Sequence, residues 1–390
     1  MRHIRDQLTD RQVITTGAVS VALFVSALAC WLAIGGGQAS AAQVGCGDTI
    51  TTDTTLHHNL TNCPNNGIVI GADDITVDLN GHRVDGDGTM FAGCPEDEPC
   101  DLGVLNDGHD GVTVRDGSVR QFAVGALLFS ARHNRVLGIS SSKNLFFGFY
   151  VAESARSLVR NSSGSRNPAP EGDGLGLFGC HRVRIVHSSF RRNALGIHIS
   201  DSPDNVIRKN RLSRNSDFAI LVEADRNRIR RNRCVRNSAC VLVAQGNANV
   251  IARNRVLRGE SGLAVERGRA NVIARNVIRR ARRAGIYLGL NDPPLGGSHN
   301  IVRRNRIGRS AGDAFVVREE DHHSRLWRNV ATRSGDDGFD IASRSAKLTR
   351  NRAWRNADLG IEAVRGVIDG GGNIARHNGD PRQCKNIVCD

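Results

Sequence analysis

The sequence predicts an all-β solenoid, a single-stranded parallel β-helix of about a dozen coils, and three observations predict it. The stretch ANVIARN occurs at 248–254 and again at 270–276, 22 residues apart. The Asn that closes it recurs at the same interval as Asn210, Asn232, Asn254 and Asn276, and continues as Asn305, Asn329 and Asn351. About nine residues after each Asn comes a short apolar run: GIHI, FAILV, CVLV, GLAV, GIYL, AFVV, GFDI, GIEA. Repeat periods of roughly 20–50 residues mark solenoids. Leucine-rich repeats are excluded because no L-x-x-L-x-L pattern occurs. Helical repeats are excluded because Gly, Asn and Ser interrupt every few residues and the apolar slots are β-branched. One circuit of three short strands then takes 22 residues, and each circuit lies about 4.8 Å from the next.

Taken in chain order, the first element is an export segment. Arg2, Arg5 and Arg11 precede an apolar run from Val13 to Ile34, followed by Ala39-Ser40-Ala41. This is the grammar of a signal peptide at 1–41, cut near Ala41 or retained as a membrane anchor. The remainder, 42–390, reads as one domain with regular coils over about 68–378. Export makes the compartment oxidising, so Cys46/Cys63, Cys94/Cys100 and Cys384/Cys389 read as small disulfide loops. Cys234 and Cys240 can pair, which leaves Cys180 over. Aromatic residues make up only 4% of the chain while Gly numbers 43, which suits short strands and tight corners rather than an aromatic-rich globule.

Within each coil, the residue three before the Asn is aliphatic: Ile207, Ile229, Ile251, Ile273, Val302, Leu326, Leu348. The Asn side chains are expected to stack and hydrogen-bond along the solenoid, and Asn tolerates a left-handed corner. Upstream the slot is read as Ser188 and Asn161, then Gly138, Asp116 and Asn80 as the pattern fades. N-x-I-x-x-N followed by G-I-x-[IVL] resembles the right-handed parallel β-helix repeat of secreted bacterial proteins, the pectin-lyase-like superfamily. The resemblance covers roughly Ile68 to Asn378 and implies fold strongly. It implies function weakly, since this scaffold carries lyases, hydrolases, epimerases and adhesins. It also resembles NosD-type periplasmic proteins linked to copper handling.

Two outward rows carry the functional reading. The residue before each Asn reads Arg231, Arg253, Arg275, Arg304, Arg328, a basic ridge suited to an acidic polysaccharide or cell-wall polymer. An Arg-rich exposed surface without a ligand is the plainer reading of the same row. Nucleic acid is excluded as a partner by the scarcity of aromatics for base stacking and by the export segment. The outward position of the apolar strand reads His198, Leu221, Leu242, Ala264, Tyr287, Val316, Asp340, Glu362. Asp340 and Glu362, one period apart, are expected as stacked carboxylates able to act as an acid/base pair. Arg318 is expected to clamp a substrate carboxylate, with Tyr287 and His198 as binding residues on the same row.

SGDDGFD (334–340) resembles parts of polygalacturonase and mannuronan-epimerase motifs. The accompanying G-H-G, R-x-K and Pro-His segments are missing, so neither assignment transfers. Asp173, Asp217, Asp313 and Asp337 recur at one corner and read as turn residues. Glu319, Glu320, Asp321, His322 and His323 read as a solvated corner, so no metal site is assigned. A calcium ion enters only for a lyase-like activity. The functional expectation is an exported protein that binds or processes an acidic polysaccharide, monomeric, touching a membrane only through 1–41. The alternatives are a non-enzymatic surface adhesin and a NosD-like periplasmic metal-handling protein.

Overall fold

A computed structural model describes residues 43–89, 91, 94, 100–167, 172–289 and 296–390. The predicted export segment, 1–41, lies outside the described residues, as does much of the three long insertions near 90–99, 168–171 and 290–295. Residues Gly45–Asp390 form one unit, all-β, with no helix among the described residues. Its widest sheet, sheet 1, contains fifteen parallel strands, so the solenoid has about fifteen turns rather than a dozen. It begins at Asp48–Ile50 and ends at Cys384–Lys385, beyond both limits that the repeat suggested. Two narrower parallel stacks complete each turn; in one coil they are Arg228–Arg230 (sheet 2) and Arg233–Val235 (sheet 3), before Ala239–Gln245 of sheet 1.

Three corners join these faces: corner a between sheets 1 and 2, corner b between sheets 2 and 3, and corner c between sheets 3 and 1. The corners share a two-residue construction, a left-handed residue followed by an inward residue that is polar in most coils. One coil reads Arg226-Asn227, Arg231-Asn232 and Arg236-Asn237, with φ of 54°, 58° and 57° at the three arginines. There are therefore three internal polar ladders, where the repeat revealed only the one at corner b. The left-handed conformation also belongs to the preceding residue and not to the Asn. The upstream positions slip accordingly. Asn161, Gly138, Asp116 and Asn80 all have positive φ and occupy the left-handed slot. Ser162 is the ladder residue, receiving its hydrogen bond from Ile139 N and passing one from its own N to Ser188 Oγ.

The ladders explain why Asn is the inward residue. Asn232 N donates to Asn254 Oδ1 at 2.9 Å, and Asn232 Nδ2 donates to Ile207 O at 3.0 Å and to Asn254 Oδ1 at 3.1 Å. Asn254 repeats this with Asn276 and Ile229. Each amide thus satisfies backbone groups that a corner removes from the sheets, which would otherwise be buried without partners. Between the ladders, Ile207, Ile229, Ile251 and Ile273 stack fully buried, each contributing roughly 1.5–3 kcal/mol of apolar burial. The Gly that opens many sheet 1 strands has a steric origin: a Cβ at Gly196 or Gly338 would lie 2.5 Å from a carbonyl oxygen of the next coil.

Disulfides join Cys46–Cys63, Cys94–Cys100, Cys234–Cys240 and Cys384–Cys389, and Cys180 is free and buried. The open Cys234/Cys240 question is settled in favour of a bridge.

Candidate functional site

The outward row of sheet 1 is a single column in register. His198 pairs with Leu221, Leu221 with Leu242, Leu242 with Ala264, and Ala264 with Tyr287. Tyr287 pairs with Val316, Val316 with Asp340, Asp340 with Glu362, and Glu362 with Lys385. Asp340 and Glu362 are therefore side by side on adjacent strands. Glu362 pairs with Lys385, with Nζ 2.7 Å from Oε1. Arg318, one outward position beyond Val316, donates from Nε to the Tyr287 hydroxyl at 3.1 Å and packs over its ring.

Corner c delivers three more carboxyls to the same place. Asp313, Asp336 and Asp337 each bring a carboxylate oxygen within 4.8 Å of the others. Asp337 does serve the corner: its amide donates to Asp313 Oδ1 at 2.8 Å, and its own Oδ1 accepts from Leu359 N at 2.7 Å. It is also the most strongly perturbed carboxyl of the cluster. Burial, and a hydrogen bond shared with Glu362, push its pKa up to about 8, against the pull of the Leu359 amide. Glu362 moves the opposite way, held below the usual carboxylate range first by the Lys385 hydrogen bond. Burial raises Asp340, Arg318 opposes that rise, and the neighbouring Glu362 adds to it. Burial raises Asp313 to about 6. The result is a set of close carboxyls of unlike protonation, the arrangement that separates acid from base.

The same crowding suits a hard cation. Asp313, Asp336 and Asp337 offer only oxygen, a donor set for Ca²⁺ or Mg²⁺ rather than for copper. Glu319, Glu320, Asp321, His322 and His323 do not converge. Asp321 is buried, accepting from Asn300 Nδ2 at 2.9 Å, while the exposed His323 ring lies 5.2 Å from His299.

The remaining expected residues lie elsewhere. Arg231, Arg253, Arg275, Arg304 and Arg328 do form a continuous exposed ridge at corner b, with Arg304 and Arg328 packed on Trp327 at 5.0 and 4.7 Å. Corner b is the vertex opposite sheet 1, so the ridge and the carboxyl cluster are not brought together. His198 shares the column with Glu362 but stands seven strands away. It is 6% exposed, with Nε2 3.1 Å from Glu223 and Nδ1 3.5 Å from Asp173. Burial works against its charge, but the two carboxylates outweigh burial and raise its pKa to about 9.

Spacing alone had no reason to promote Asp337 above its corner role. The signal was the doubled Asp336-Asp337, where other coils carry one acid, as at Asp217 and Asp313, or none. Lys385 was hidden because the tail departs from the Asn pattern.

The fold makes this a right-handed parallel β-helix protein. The family model for a right-handed beta helix region matches residues 44–228, and that for the periplasmic copper-binding protein NosD matches 169–292. No curated protein matches the sequence significantly. Among solved structures, the tailspike protein of E. coli bacteriophage HK620, in complex with a pentasaccharide, aligns with a TM-score of 0.51 and 8% identity, over 87% of this chain and 73% of that one. PfbA, a surface adhesin of Streptococcus pneumoniae, aligns at 0.49 and 10% identity over 81% and 84%, and DFA-IIIase of Arthrobacter chlorophenolicus A6 at 0.48 and 10% over 68% and 67%. At these identities the likeness is one of fold.

Proposed function

We propose that this is an exported glycan-processing protein that performs acid/base chemistry on an acidic polysaccharide at the carboxyl cluster of its last coils. The observation that carries the reading is the register that seats Asp340 beside Glu362, with the corner carboxyl of Asp337 bonded to the Leu359 amide of the coil that carries Glu362. Asp337 and Glu362 act as a dyad that holds one proton near neutrality. Asp337 holds that proton, because Lys385 keeps Glu362 ionised, and gives it up by way of the more exposed Glu362 to a glycosidic oxygen as its bond to the sugar breaks. Asp340, on the adjacent strand, takes up the proton of the attacking water or bonds transiently to the sugar. Arg318, fixed by Tyr287, pairs with a substrate carboxylate and keeps Asp340 ionised.

The test is turnover of a panel of uronate polysaccharides, following reducing ends and ultraviolet absorbance of unsaturated products. Activity is expected to fall as pH rises through about 8, where the dyad loses its proton. It should fall again in the acid range, where Asp340 becomes protonated. Asp337→Asn should lower the rate by about 100-fold, the low end for removing general acid–base help, and should abolish the limb near pH 8. Full activity in the Asp340→Asn/Glu362→Gln double variant would overturn the reading. Retention on the polymer with no product from any substrate would favour the adhesin instead. The metal-handling alternative is supported by the NosD match over 169–292; copper binding by the wild-type protein, lost on changing the histidines at 299, 322 and 323, would establish it.

A further inference from the structure

We infer that the polymer is held not by the ridge at corner b but by a second, longer column of cations at corner c, which leads along the edge of sheet 1 to the carboxyl cluster. The inference rests on the reading above for the destination of the polymer, though not for its binding. The column occupies the left-handed slot of corner c in ten successive coils, from Lys143 through Arg192, Arg236 and Arg280 to Arg355. All ten side chains are exposed. No described carboxylate forms an ion pair with any of them; the described pairs use other residues.

The backbone makes arginine an expensive choice here. A residue with a Cβ in the left-handed region costs roughly 1–2 kcal/mol, and Gly and Asn escape most of that. Yet arginine fills 18 of the 41 non-glycine left-handed positions among the described residues, and asparagine four. Local conformation does not account for this preference, whereas a row of outward guanidinium groups does.

Three further observations favour corner c over corner b. First, corner c has a concave face. A groove of about 700 Å³ runs beside Arg214, Arg236, Arg258 and Arg282, with Ser216 and Ser238 supplying hydroxyls. Its Glu260 is neutralised by Arg283 at 2.9 Å. Second, the groove at the opposite edge of sheet 1 sets Asp201, Glu223 and Asp225 against Arg226 and Arg267, whereas the corner c groove sets four arginines against Glu260, so corner c is the more attractive edge for a polyanion. Third, the residues that follow Arg309 and Arg333 through the corner are Asp313, Asp336 and Asp337 themselves. The track and the cluster are parts of one corner. The cation spacing of about 4.8 Å per coil matches an extended glycan with one carboxylate per sugar. It does not match duplex DNA, in which each strand presents a phosphate about every 3.4 Å of helix axis.

The experiment measures affinity of the full-length protein for polygalacturonate at low salt, with neutral dextran as control. Arg214→Asn/Arg236→Asn/Arg258→Asn is compared with Arg231→Asn/Arg253→Asn/Arg275→Asn, which removes the same charge from corner b. Asn suits the left-handed position, so both variants should retain the wild-type melting temperature or exceed it. The corner c variant should bind about tenfold more weakly, the effect of three exposed ion pairs, and the corner b variant within about threefold of wild type. Equal losses in both variants, or none at corner c, would overturn the inference. So would equally tight binding of an oligonucleotide of matched charge. Asp337→Asn and Glu362→Gln should bind like wild type. Corner c-dependent binding without any product would support the track and remove the catalytic reading.

Discussion

At each corner the work is divided between two adjacent residues. The inward Asn supplies hydrogen bonds, and the residue before it supplies the turn and whatever faces solvent. This division makes the two positions respond oppositely to substitution. Asn254→Ala would leave the Asn232 amide and the Ile229 carbonyl buried without their partners. Unsatisfied groups of this kind cost about 1–3 kcal/mol each, so a loss of about 2–4 kcal/mol is expected in urea unfolding. Arg253→Asn, one residue earlier, should change stability by less than about 1 kcal/mol or raise it, because Asn accepts φ near 57° more readily than Arg. Equal destabilisation by the two changes would contradict the division. The Asn column was plain in the sequence because Asn is rare in strand interiors and recurred every 22 residues. The left-handed role of its neighbour was not, since φ leaves no mark when the residue that adopts it is arginine.

The coil is the next unit, and its strands are too short to persist alone. Three residues such as Phe339–Ile341 or Arg233–Val235 gain stability only by stacking on the coils before and after. A whole coil should therefore be removable. Deleting residues 254–275 joins Arg253 to Asn276 and keeps every ladder and column in phase. The shortened protein should keep its β-sheet circular dichroism and a cooperative melt, whereas deleting 254–264 should give an insoluble or unfolded product. The order of these elements was legible because period and strand length come from local apolar spacing. Corner c was less so. After Arg258, Arg280, Arg309 and Arg333 its ladder residue is Gly259, Ala281, Ser310 and Ser334 instead of Asn, so the column lacked the marker that exposed corner b. The carboxyl cluster was half legible. Asp340 and Glu362 followed from the period, but Asp337 needed the fold to show that a corner carboxyl reaches across to the next strand.

Across the whole molecule, charge is sorted by face as well as by length. The chain from 42 to 120 carries 14 Asp and Glu against three Arg, and sheet 1 has a basic edge at corner c and, at corner a, a groove where three acids meet two arginines. Exposed charges act over about 10 Å at 0.1 M salt and far less at 1 M. Affinity for polygalacturonate should thus fall steeply and linearly on a log–log plot against salt, as polyelectrolyte binding does. The corner c triple variant should flatten that slope, and an unchanged slope would mean that binding is not electrostatic. The equal spacing of the cations has one more effect. A ladder of like rungs has no preferred address: a chain shifted by one rung finds the same partners, so its binding energy repeats with the step. Such a guest can creep lengthwise without letting go, and because the rungs stop beside Asp337 and Glu362, creeping brings its tip to the reactive end.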